Sequence, residues 1–140
     1  MKMEYTAEII RGWPNDGALD THEPVTATKT LYNGDWVAKE SDGTVDISGA
    51  SASNRVGLVI RGNGDSPSAV AAGNRAVVLW SNFIVKVSNY TAGAYAPGSN
   101  VTVESGKIAL AEGGDPVLGF VKDVVAVGPN ETAHLVIVVR

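Results

Sequence analysis

Two histidines, fifteen carboxylates and no cysteine are the side chains from which this chain could build a reactive site. His22 stands near Asp16, Asp20 and Glu23, a set of oxygen and imidazole donors that could meet a cation. The tight ligand register of an oxygen-rich metal loop is missing there, so the group reads as a solvated acidic loop. His134 heads the last apolar stretch and reads as half-exposed or satisfied locally. Asp42, Asp46, Asp65, Asp115 and Asp123 fall at turns or on strand faces, where carboxylates are ordinary. A glycosidase-type pair needs no fixed spacing, so spacing does not decide that case. With no thiol there is no Cys-based metal site, disulfide or thiolate chemistry. Glycine-rich turns occur, but no Gly-Lys-Ser/Thr with a following helix, so no phosphate loop is expected. Asn89-Tyr-Thr91 and Asn130-Glu-Thr132 match the glycosylation pattern and read better as turn asparagines. The expectation is a chain that is not an enzyme, with no cofactor and no metal.

Composition narrows the partners. The chain has 140 residues, 44% hydrophobic and 19% charged, enough to fold as one domain. Its net charge is −4 and its 11 basic residues are scattered, which argues against a grip on nucleic-acid phosphates. No stretch approaches the length of an apolar membrane span, and Met1 to Glu8 lacks the apolar run of a signal peptide.

Elements that could position any site are short and β-rich. Ala76 to Val87 carries two apolar, β-branched runs around Ser81-Asn82, which predicts a β-hairpin at the centre of the sheet. A helix there is disfavoured because Val and Ile dominate. Asn100–Glu104 and Lys107–Leu110 flank Ser105-Gly106 as a second hairpin. A strand is expected over 116–127, bent at Gly119, and a last one over 133–140. Gly57 inside its strand marks a bulge or a close backbone contact. Gly34-Asp35, Gly73-Asn74, Gly98-Ser99 and Gly114-Asp115 repeat one turn pattern, a positive-φ glycine followed by a small polar residue. The fold class is all-β: a single small antiparallel barrel or sandwich over residues 31–140. Trp80, Phe83, Val85, Leu118, Phe120, Leu135 and Ile137 are expected in its core.

Residues 1–30 differ from the rest. Gly12 to Gly17 is dense in turn formers, and His22-Glu-Pro24 fixes another extended point. This segment reads as an extended N-terminal arm anchored by Tyr5, Ile9, Ile10 and Trp13. The plainer reading is a first strand and loop packed on the chain's own sheet. Tyr90 and Tyr95, in an Ala-rich connection, are the candidate oligomer contact.

From Tyr32 onward the chain resembles the small β-barrel head-decoration, or capsid cement, proteins of tailed bacteriophages. The resemblance rests on Gly34-Asp-Trp-Val37, Val56-Gly-Leu-Val59, Gly73-Asn-Arg-Ala-Val-Val78, Gly114-Asp-Pro-Val-Leu-Gly-Phe-Val121 and the terminal run His134-Leu-Val-Ile-Val-Val139. These are turn-and-strand patterns, and the first 30 residues lie outside them. The resemblance implies a structural virion protein, made in the host cytoplasm, that binds the major capsid protein on the outer surface of the head. It implies a homo-oligomer there, a trimer or else a dimer, contacting neither nucleic acid nor membrane. On that reading residues 1–25 order against the capsid or a neighbouring subunit. Alternatives from other classes are a tail or baseplate β-domain and a carbohydrate-binding or hydrolytic β-domain.

Overall fold

The computed structural model describes residues 7–11, 18–26, 28–49, 55–62, 69–125 and 133–140. Among them are thirteen strands and no helix. Six form one antiparallel sheet in the order β1 (Ala7–Arg11), β9 (Phe83–Val87), β13 (His134–Val139), β12 (Gly119–Val125), β10 (Asn100–Glu104) and β11 (Lys107–Leu110). Five form a second, in the order β2 (Leu19–Pro24), β8 (Arg75–Ser81), β6 (Val56–Gly62), β4 (Trp36–Lys39) and β5 (Val45–Ile47). A short pair, β3 (Leu31–Tyr32) with β7 (Ala69–Val70), completes the set. Neither sheet closes into a barrel, so the fold is a sandwich.

Two apolar clusters explain the burial pattern. Between the sheets lie Trp36, Leu58, Val77 and Leu79 from the five-stranded sheet, against Phe83, Val85, Leu135, Ile137 and Val121 from the six-stranded one. Trp36 and Phe83 stack across the gap with centroids 6.3 Å apart. The second cluster covers the other face of the five-stranded sheet and contains Val25, Leu31, Val37, Val59, Val78 and Trp80. That sheet curls over this cluster until Val25, just past β2, bridges Val45 of β5. β8 therefore has apolar neighbours on both faces, which is why Ala76 to Trp80 is an unbroken buried run.

The central segment is not a hairpin. β8 pairs with β2 and β6, whereas β9 pairs with β1 and β13. Asn82, at φ 61°, turns the chain from one sheet into the other. The β10–β11 hairpin does form as expected, with Glu104 opposite Lys107 and both Ser105 and Gly106 at positive φ.

The repeated turn pattern has one geometry. Gly34, Gly73, Gly98 and Gly114 take φ of 92°, 81°, 92° and 90°. In each turn the amide after the glycine donates to the carbonyl three residues earlier, as from Asp35 to Tyr32 at 3.0 Å and Asp115 to Glu112 at 2.9 Å. In three of the turns the polar side chain also accepts from the amide at the start of the turn: Asp35 Oδ2 from Tyr32 N at 2.8 Å, Ser99 Oγ from Ala96 N at 3.2 Å, Asp115 Oδ2 from Glu112 N at 2.9 Å.

Three further expectations are corrected. The described part of residues 1–30 is not an arm standing off the domain. β1 is the edge of one sheet and β2 the edge of the other, each antiparallel to a central strand, as in the plainer reading. β12 begins at Gly119 rather than bending there, and its irregularity is a bulge between Val121 and Asp123. Phe120 is not a core residue: Val121 faces inward, so Phe120 points outward and is half-buried, and Leu118 only flanks the core. Trp80, Phe83, Val85, Leu135 and Ile137 are buried as expected.

Candidate interaction surfaces

The expected contact residues separate. Tyr5 and Trp13 lie outside the described residues, as does the side chain of Ile9. Ile10 is the extra residue of a bulge between Ile9 and Arg11 and is 52% exposed. A bulge in an edge strand breaks the regular array of backbone donors that another chain would need, so β1 is a blunted edge.

Tyr90 and Tyr95 do not project as a contact patch. Their rings meet edge to face at 5.3 Å and pack against the inter-sheet core. The Tyr90 hydroxyl donates to Ala133 O at 2.6 Å, and that of Tyr95 to Thr91 O at 2.9 Å. Burial, opposed in part by the Thr91 hydroxyl, raises the Tyr95 phenol above its ordinary range. The pair fastens the 89–97 connection to the sandwich. Asn89 assists: it is 3% exposed and its amide donates to Gly106 O at 3.1 Å. That burial fits a structural turn asparagine rather than a glycan acceptor.

The ionisable groups near His22 build a different structure from the one their spacing suggested. Glu23 turns toward Lys39, whose Nζ lies 2.6 Å from Oε1 and also donates to Gly43 O at 2.7 Å. Glu23 Oε2 accepts from the Thr21 hydroxyl at 2.8 Å, and that hydroxyl accepts from Trp80 Nε1 at 2.6 Å. Burial pushes the Glu23 carboxyl up, but the bonds from Lys39 and Thr21 and the charges of Lys39 and Arg75 outweigh it, and it sits below its usual value. Glu23, Lys39, Trp80 and Arg55, which donates to Trp80 O and Arg140 O, line a cleft of about 380 Å³. The chain Trp80–Thr21–Glu23–Lys39 ties β2, β8 and β4 together. Among the described residues no three His, Asp or Glu side chains converge as metal ligands.

A third region escaped the sequence reading. On the outward face of the six-stranded sheet, register aligns Phe120, Val138 and Ile84 in one row and Asp123, Val136 and Lys86 in the next. Arg140 lies over the Phe120 ring, 5.2 Å from its centroid. A groove of about 410 Å³ runs beside them, lined by Asn100, Val117, Leu118, Gly119, Phe120 and Arg140. The signal was present in the alternation of the last strand, where Val136 and Val138 occupy positions that a wet face would fill with polar residues.

No protein-family model matches this chain, and no curated protein matches it. The class that the fold defines is an antiparallel two-sheet sandwich with a second core outside one of its sheets.

Proposed function

We propose that this protein is a structural virion component that binds the outer surface of a phage head and stabilises the shell. The resemblance of residues 32–140 to head-decoration proteins motivates the reading. The observation that carries it is where four of the described aromatic side chains lie. Trp36 is 0% exposed and Trp80 8%, and Tyr90 and Tyr95 turn their hydroxyls into the backbone. A carbohydrate-binding domain would be expected to set such rings out as a platform. Here they stiffen a sandwich, as suits a small element repeated over a lattice, where many weak contacts add through avidity.

The partner is the major capsid protein, and the chain sits on the particle as a homo-oligomer, a trimer or else a dimer. The test is to delete the gene from its genome, purify the heads and add back the full-length protein. Saturable co-sedimentation and raised resistance of the heads to heat support decoration. Binding to tails instead would favour the alternative, a tail or baseplate β-domain.

A further inference from the structure

We infer that the chain is two copies of one five-stranded unit packed head to tail, and that Thr21, Glu23 and Lys39 cap the first copy so that a second molecule cannot extend the stack.

The copies are residues 19–81 and 83–139. In chain order β2, β4, β5, β6 and β8 correspond to β9, β10, β11, β12 and β13, and the two sheets arrange them identically. Register agrees rung by rung. Val37 lies opposite Gly57 and Ile47, and Val101 opposite Gly119 and Leu110. β6 bulges after Val59 and β12 after Val121, at the same rung. Gly34 N donates to Val59 O at 2.8 Å and Gly98 N to Val121 O at 2.7 Å. Thr26 N donates to Val45 O at 3.1 Å and Thr91 N to Ile108 O at 2.8 Å. Strand order alone recurs among unrelated sheets, but a shared bulge, glycine and pair of crossing bonds mark one unit copied. The sequence keeps a trace of it: Gly34, Val37 and Glu40-Ser41 are spaced as Gly98, Val101 and Glu104-Ser105.

Equivalent faces meet different neighbours. Val37, Val59 and Val78 belong to the cluster outside the sandwich, whereas their counterparts Val101, Val121 and Ile137 lie between the sheets. The first unit therefore lays its other face, with Leu58 and Leu79, on the Val101 face of the second. Such a contact joins unlike surfaces and does not close on itself. Repeated between molecules, it would set Phe120 and Val138, the counterparts of Leu58 and Leu79, on the Val37 face of the next chain.

Three side chains forbid that step. Where the second unit has Val85, Val87 and Val103, all buried in the inter-sheet core, the first has Thr21, Glu23 and Lys39. A sheet docked there would strip water from the Glu23–Lys39 pair, 2.6 Å apart. β3 is not the obstacle. Tyr95 stands at the Leu31 position of the second unit, packed against the inter-sheet core, and the first unit docks there all the same. Polar end units limit other stacked repeats in the same way.

The test copies the second unit onto the first in the full chain: Thr21→Val, Glu23→Val and Lys39→Val together, followed by sedimentation over a hundredfold range of concentration. The folded variant should grow in mean mass at least twofold across that range while the parent stays constant. Adding Val136→Lys, which charges the opposite end of the stack, should restore the parent's behaviour; Phe120→Glu serves if that variant does not fold. If the triple variant does not fold, Glu23→Gln with Lys39→Met decides in its place, since it leaves the Thr21 hydroxyl on Trp80 Nε1. A folded variant of constant mass would overturn the cap. Association that the charge at position 136 or 120 leaves unchanged would overturn the head-to-tail contact.

Discussion

A methyl group at position 57 would have no space. A Cβ there would lie 2.5 Å from Val78 Cγ1 and 2.7 Å from Trp80 Cε3, because these side chains of the neighbouring strand β8 pack against the glycine. Gly57→Ala is expected to cost about 1–3 kcal/mol by forcing these side chains apart, read from chemical denaturation. A variant as stable as the parent would contradict that packing. The Glu23–Lys39 pair makes a second prediction at this scale. A carboxyl held below its usual value adds stability above the unfolded-state pKa and loses it as pH falls through the folded-state one. Glu23→Gln should therefore be less stable than the parent near neutrality, by no more than about 1 kcal/mol, with the gap closing below about pH 4.5. A gap that does not change between pH 7 and pH 3 would refute the assignment. Gly57 was legible from the sequence because a glycine inside an apolar strand wants a reason. Phe120 was not. Residues 116–127 are so uniformly apolar that parity along them is undetermined, and the bulge near Lys122 shifts it again.

Elements were legible where local chemistry alone specifies them. The Gly-Asp, Gly-Asn and Gly-Ser turns and the β10–β11 hairpin follow from positive φ and short polar side chains, and all are found where expected. The segment around Asn82 fails this test for a physical reason: a hairpin turn and a corner between sheets both accept asparagine at positive φ, and only distant pairing separates them. Asn82→Gly should be close to neutral, whereas Asn82→Val should cost on the order of 1–2 kcal/mol for a β-branched residue in the left-handed region. Equal thermal midpoints for the two would mean the corner is relaxed in solution. The N-terminal strands show the same limit. Nothing local in residues 7–11 or 19–24 says whose sheet they join, yet each is an edge of this chain's own sandwich. Removing residues 1–25 would uncover one edge of β8 and one of β9, both rich in apolar residues. Loss of the cooperative melt, or aggregation, is the expected outcome. A monomer that melts like the full chain would return those residues to the status of an arm.

For the whole molecule, the asymmetry between the sheets links stability to the proposed role. One sheet is buried on both faces and makes a stiff scaffold. The other leaves Ile84, Val136, Val138 and Phe120 half-buried on its outward face. The all-β class could be read from the sequence, and so could Phe83, Val85, Leu135 and Ile137 of the inter-sheet core. The apolar row on the outward face of the six-stranded sheet could not, because it depends on which strands become neighbours. Cryo-electron microscopy of the particle whose genome encodes this chain is the most direct test of decoration. The reading predicts density for the two-sheet sandwich outside the head lattice, clustered about threefold or twofold positions. Heads bare of such density, or the same sandwich found only on the tail, would contradict it.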